Sequence, residues 1–133
     1  MTLYIPHGQS ARREIARSQP FNLDNGAGTT IDDVILRHPK KITLLAARIV
    51  YSDATTGTVA GGNARIGTTV GGSEIVASTA YENTKAVGTS TSMTLAVTSV
   101  AADTPVIVRH TGVAVTQAGF AYVELDYLVD EDQ

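Results

Sequence analysis

The chain has 133 residues, 43% of them hydrophobic, no cysteine, no tryptophan and a formal net charge of −3. One domain with a single core fits that length, the missing cysteine excludes disulfides, zinc–thiolate sites and thiol catalysis, and an acidic balance with a pI near 5.5 argues against a general nucleic-acid binder. No apolar run nears the roughly 20 residues of a membrane-spanning helix, and the opening MTLYIPHGQSARRE lacks the apolar core of a secretory signal, so a soluble, unsecreted chain is expected.

Charge is unevenly spread. Residues 1–41 carry six Lys/Arg against four acids, and the remainder carries four against nine. A mildly basic front end on an acidic body points to a negative surface as its partner. Residues 1–28 read as an extended arm: Pro6 and Pro20 bracket GQSARREIARSQ, and DNGAG at 24–28 closes the segment with turn residues. Within it, Ser10–Arg17 has the N-cap and the early acid of a turn or two of helix, too short to hold alone. Apolar anchors at Leu3, Tyr4, Ile5, Ile15, Phe21 and Leu23 require the arm to lie along a surface, its own body or a partner's.

From residue 29 to 133 the pattern is β. Strands are expected over Thr30–Leu36, over the long apolar run Ile42–Ser52 (central, covered on both faces for much of its length), over Asn63–Thr69 and Glu74–Ala80, weakly near Ala86-Val87, and over Met93–Val100 with its period of two. Pro105–His110 follows, Val113–Thr116 is a short bridging candidate, and the last strand alternates cleanly. In it Ala121, Val123, Leu125, Tyr127 and Val129 share one face, while Tyr122, Glu124, Asp126, Leu128 and Asp130 share the other, wet one. Roughly seven to nine short strands without intervening helices indicate an antiparallel β-sandwich or jelly roll with an N-terminal arm.

The candidate chemistry is thin. His7, His38 and His110 lack metal-ligand spacing, and His110, beside Arg109 at a strand end, is expected at a surface or a trimer axis. Asp24-Asn25-Gly26 reads as an Asx turn and Asp32-Asp33 as a solvated face, since the ordered acidic loop of a calcium site is missing. The glycines of GTVAGGNARIG and GTTVGG lack the Lys-Ser/Thr ending and the following helix of a phosphate loop, so they read as hairpin glycines. Glu124 and Asp126 lie about 7 Å apart on one strand face, a separation that glycosidase carboxylates use. No cleft-lining aromatic platform accompanies them, and no Ser-containing nucleophile elbow exists. No catalytic residue, cofactor or metal ligand is assigned, and an enzyme is not expected.

The runs ARIGTTVGGSEIVAST (64–79), AADTPVIVRHTGVAVTQAG (101–119) and YVELDYLVDED (122–132) resemble the jelly-roll head decoration, or cement, proteins of tailed bacteriophages. The resemblance spans about residues 42–133 and is a texture of Thr/Val/Ala strands and Gly turns. It implies a homotrimer on the capsid exterior at or near three-fold positions, made in the host cytoplasm, bridging major capsid protein subunits, with no nucleic-acid or membrane partner. On that reading the arm is the capsid contact, through Tyr4, Ile5, Arg12, Arg13, Ile15, Arg17, Phe21 and Leu23, and deleting residues 1–24 should leave a folded domain that binds heads poorly. The alternative class is a receptor- or carbohydrate-binding module of a head spike or tail, since jelly rolls also serve as lectins.

Overall fold

The computed structural model describes residues 11–23, 29–55, 62–82, 84–112 and 119–130. Ten strands fill them: β1 (Ala11–Arg17), β2 (Phe21–Asn22), β3 (Thr30–Arg37), β4 (Ile42–Tyr51), β5 (Asn63–Gly67), β6 (Val76–Ala80), β7 (Ser90–Met93), β8 (Ser99–Val100), β9 (Pro105–Thr111) and β10 (Phe120–Asp130). Two antiparallel sheets result. The larger runs β1-β10-β4-β7, with β2 continuing beside β10 and β8 beside β4; the smaller runs β3-β9-β5-β6. Taking β1 with β2 and β7 with β8 as single positions leaves eight strands in two four-stranded layers. β1 pairs with β10 and β3 with β9, which is the winding of a jelly roll.

The core is the interdigitated inner faces of the two sheets. β10 supplies Ala121, Val123, Leu125, Tyr127 and Val129, all buried, as its alternation predicts. β4 supplies Ile42 and Leu44, then Ala47, Ile49 and Tyr51. These two sets have opposite parity, and a simple strand would turn one of them to solvent. The register against β10 slips there, Asp126 facing Ala46 and Tyr127 facing Leu44, so that Leu45 is the extra residue of a bulge and stands 41% exposed. The phase change is why the sequence reads as continuously apolar. Only one face of β4 is fully covered; Thr43 and Leu45 are exposed and Arg48 and Val50 half-buried on the other.

Three segments depart from expectation. The sequence of Ser10–Arg17 allows a turn or two of helix, but Ala11–Arg17 is an edge strand in unbroken register with β10, from Ala11 opposite Asp130 to Arg17 opposite Glu124. A segment too short to hold a helix in water gains a full ladder of hydrogen bonds from a neighbour far away in sequence. From residue 11 onward, then, the arm lies on its own body. Phe21 and Leu23 sit in that body's core, completely buried, with exposed Asn22 between them. Of the strand expected over Met93–Val100 only Met93, the end of β7, and Ser99-Val100, which is β8, are strand; between them Ala96 N–H donates at 2.8 Å to Ile75 O, just ahead of β6, which ties this connection to the other layer. Ala86-Val87 is turn rather than strand, and the candidate at Val113–Thr116 lies outside the described residues.

Candidate interaction face

The outer face of the β1-β10-β4 layer is where the sequence-predicted residues and the acidic side of β10 meet. Alternation sends Arg13, Ile15 and Arg17 of β1, Glu124 and Asp126 of β10, and Arg48 of β4 to this face. Register then aligns them, with Arg17 and Arg48 both opposite Glu124, and Ile15 opposite Asp126. The result is a five-member charge ladder. Arg48 bridges the two acids, Nη1 donating to Glu124 Oε1 at 3.0 Å and Nη2 to Asp126 Oδ2 at 2.8 Å. Arg17 Nε donates to Glu124 Oε2 at 2.7 Å, and Arg13 Nη2 to Asp126 Oδ2 at 3.1 Å. Each acid is held by two arginines, a charge-assisted arrangement, and the bond that Arg17 donates to Glu124 raises the Arg17 pKa above its ordinary value. The Asp126 side chain is only 4% exposed, and its Oδ1 has no hydrogen-bond partner among the described residues. Two carboxylates clamped in this way are not the free acid–base pair that glycoside hydrolysis needs; their role is to hold β1 and β4 to β10.

The remaining predicted contacts divide. Arg12 pairs with Glu14, whose carboxyl is held below its usual range chiefly by that hydrogen bond. Ile15 stands 52% exposed between Arg13 and Arg17. Phe21 and Leu23 belong to the core, so no partner can use them without unfolding this edge. Tyr4 and Ile5 lie outside the described residues. Arg48 is the member that sequence reasoning missed. It was visible as the one charge in the β4 run, but its neighbours depend on a register that the bulge sets.

The opposite face, on β3-β9-β5, carries a smaller set. Asp32 takes a two-pronged bond from Arg109, at 2.7 Å from Nε and 2.8 Å from Nη2, and that bond lowers its pKa. The Asp32-Asp33 pair is therefore not merely solvated, and Asp33 Oδ2 also accepts Gln19 N–H at 2.7 Å, tying the segment after β1 to β3. Gly71, at φ +75°, lies so close to Arg109 that a Cβ there would meet Nη1 at 2.8 Å. The GTTVGG glycines thus serve loop shape and close approach.

His110 corrects the expectation of a surface or axial position: it shares the inward parity of Val106 and Val108 and is 1% exposed. Its ring stacks on Phe21 at 4.7 Å between centroids. Tyr81 OH lies 2.6 Å from Nδ1 and Ser18 Oγ 3.2 Å from Nε2. Ser18 Oγ also accepts Val123 N–H at 2.8 Å and donates to Gln19 O at 3.2 Å. All groups are satisfied by a neutral imidazole that donates from Nε2 and accepts from Tyr81 at Nδ1. A Ser–His pair invites a nucleophile reading, but here it is sealed beneath Phe21 and oriented by a phenol whose pKa burial raises, not by a carboxylate. It joins the first strand's end to the other sheet.

Among the described residues no group of three or more His, Asp or Glu is placed to hold a metal ion. No protein-family model matches the chain, and no curated protein matches it. Among solved structures the fold is similar to a chain of the cyanophage Pam1 capsid asymmetric unit, with a TM-score of 0.62 and 16% sequence identity over 97% of this chain and 94% of that one.

Proposed function

We propose that this chain is a structural protein of a phage virion, a decoration or cement protein that binds the outside of the head near three-fold positions and bridges major capsid protein subunits as a homotrimer. One observation carries the reading: nearly the whole chain shares its jelly roll with a component of a phage capsid. The outer face of the β1 layer supports it, since Arg13 and Arg17 stand 66% and 60% exposed there while the acids they pair with, Asp126 and Glu124, are largely covered, which sets positive charge outermost at this edge of an otherwise acidic body. In this reading the contact residues are Arg12, Arg13, Ile15 and Arg17 on β1, with Tyr4 and Ile5 ahead of it. Three such contacts per trimer make individually weak attachment firm.

The test is a density map of particles with and without the protein. Extra density on the outer surface at three-fold positions, present only when the chain is present, is the expected result. Density confined to the tail, or none, would defeat the proposal. The lectin alternative draws on Phe120 and Tyr122, exposed and half-buried on the same outer face, and predicts a glycan-array signal that Phe120→Ala abolishes.

A further inference from the structure

Of the strands that border the two sheets, β1 is the longest regular one. β3 has eight residues, but its register slips between Val34 and Leu36. β6 has five and faces a slip in β5 between Ala64 and Ile66, and β7 has four. β1 has seven in unbroken register. Natural edges are usually blunted by bulges, prolines, short length or charged side chains; β1 has no bulge or proline within Ala11–Arg17, and its charges, Arg12, Arg13, Glu14 and Arg17, select against a like-charged neighbour while leaving its backbone groups open.

Its backbone phase is fixed. In antiparallel pairing, alternate residues direct N–H and C=O toward the neighbour and away from it. Ser18 N–H donates to Val123 O at 2.9 Å, so the even residues 14 and 16 bond β10, and Arg13, Ile15 and Arg17 turn their backbone groups outward. Among the described residues nothing bonds those outward groups. The same three residues raise their side chains on the outer face, 66% and 60% exposed for the arginines and 52% for Ile15. Arg13 and Arg17 each engage one nitrogen in the ladder, which leaves most of each guanidinium's five donors available.

We propose that the open edge of β1 receives an extended segment of the capsid partner as an added strand, with acidic, apolar and acidic side chains facing Arg13, Ile15 and Arg17 in turn. Strand addition takes its affinity from main-chain bonds and its selectivity from alternate side chains, and β1 offers both on the same three residues. The partner's identity rests on the virion reading above. A second copy of β1 does not fit: a two-fold antiparallel pair centred on Ile15 would set each Arg13 against an Arg17, and like charges directly opposite destabilise. Residues 1–10 contain no acid and cannot complement the arginines either.

Two variants separate backbone from side chain. Ile15→Pro removes an outward N–H and places a ring where the added strand would lie, yet spares the β10 ladder, because proline is tolerated on the open side of an edge. Ile15→Thr keeps the N–H and loses only the apolar side chain. Full-length proteins are mixed with heads assembled from the major capsid protein of the same phage, bound copies are counted, and amide exchange is compared for free and bound wild type. Wild type should bind and Ile15→Thr should bind more weakly. Ile15→Pro should lose about tenfold or more in affinity at an unchanged melting midpoint, reflecting a lost backbone bond and a steric block. The amides of Arg13, Ile15 and Arg17 should exchange fast in the free protein and slowly on heads, with those of Glu14 and Ala16 slow in both. Wild-type binding matched by Ile15→Pro overturns strand addition and leaves the virion reading standing, and so does slow exchange of the three outward amides in the free protein. If wild type itself does not bind heads, both fall.

Discussion

His110 shows what a single buried group does to the whole chain's response to pH. Burial pulls its pKa from 6.5 down to about 4, with Asp33 pulling weakly the other way. Above pH 6.5 the imidazole is neutral whether the chain is folded or not. Between 6.5 and 4 the unfolded chain binds a proton that the folded one refuses, so stability falls as pH falls, by up to about 3 kcal/mol across the window. Carboxylates held low by partners, Glu14 and Asp32 among them, lose their contribution further down, as they protonate, so the upper part of the window belongs to the imidazole. Urea midpoints measured from pH 7.5 to 5 should decline for the wild type and stay nearly level for His110→Gln, which begins lower because it loses the stack on Phe21. Equal slopes would assign the effect elsewhere. Arg48 is the second sensitive residue. Arg48→Met leaves buried Asp126 with Arg13 alone and Glu124 with Arg17 alone, and the expected loss is about 2 kcal/mol, that of hydrogen bonds to charged groups rather than of a stranded charge. Adding Asp126→Asn should recover part of it in the same urea assay. Strictly additive losses would mean that the ladder is decorative.

At the scale of elements, β1 and β2 belong to the body. Deleting residues 1–24 removes Ala16, Phe21 and Leu23 from the core and Ser18 from His110, and strips β10 of one neighbour. Phe21 and Leu23 alone are worth roughly 2–3 kcal/mol each in buried area, a large share of a typical domain's stability. The 1–24 deletion is therefore expected to be unfolded or molten by circular dichroism. A 1–24 deletion with a wild-type melting midpoint would refute the placement of β2. Much of this was legible in advance. The alternation of β10 gave its two faces, the apolar run gave β4, and Phe21-Asn22-Leu23 already carried the in-out-in pattern of a buried edge. His110 too had the parity of Val106 and Val108, a signal outweighed by its charged neighbour Arg109. What local pattern could not supply was partnership at a distance. ARREIAR is compatible with a helical turn until β10, more than 100 residues on, offers it a ladder, and Arg48 meets Asp126 only because one extra residue at Leu45 shifts the register.

For the molecule as a whole, the attachment to a head proposed above is a question of how many weak contacts act together. The proposed contact strand, β1, presents arginines on its solvent side, whose attraction for an acidic partner is screened over about 10 Å at 0.1 M salt. The ladder that holds β1 to its sheet is partly buried and feels salt less. Raising sodium chloride from 50 to 500 mM should therefore release the protein from heads while shifting its melting midpoint little. Co-sedimentation and thermal unfolding on the same samples check this, and parallel loss of both would mean that salt acts on the fold, not on the contact. The proposed bridging adds a further consequence. A trimer gripping three capsid subunits gains an effective concentration for its second and third contacts that can raise affinity by roughly 10²–10⁴ over one contact. Substituting Arg13→Ala in mixed trimers, titrated from zero to three variant copies, should lower head binding steeply from the first copy to the second. A linear decline with the fraction of variant chains would show that the copies bind one by one, and three-fold bridging would then have no thermodynamic basis.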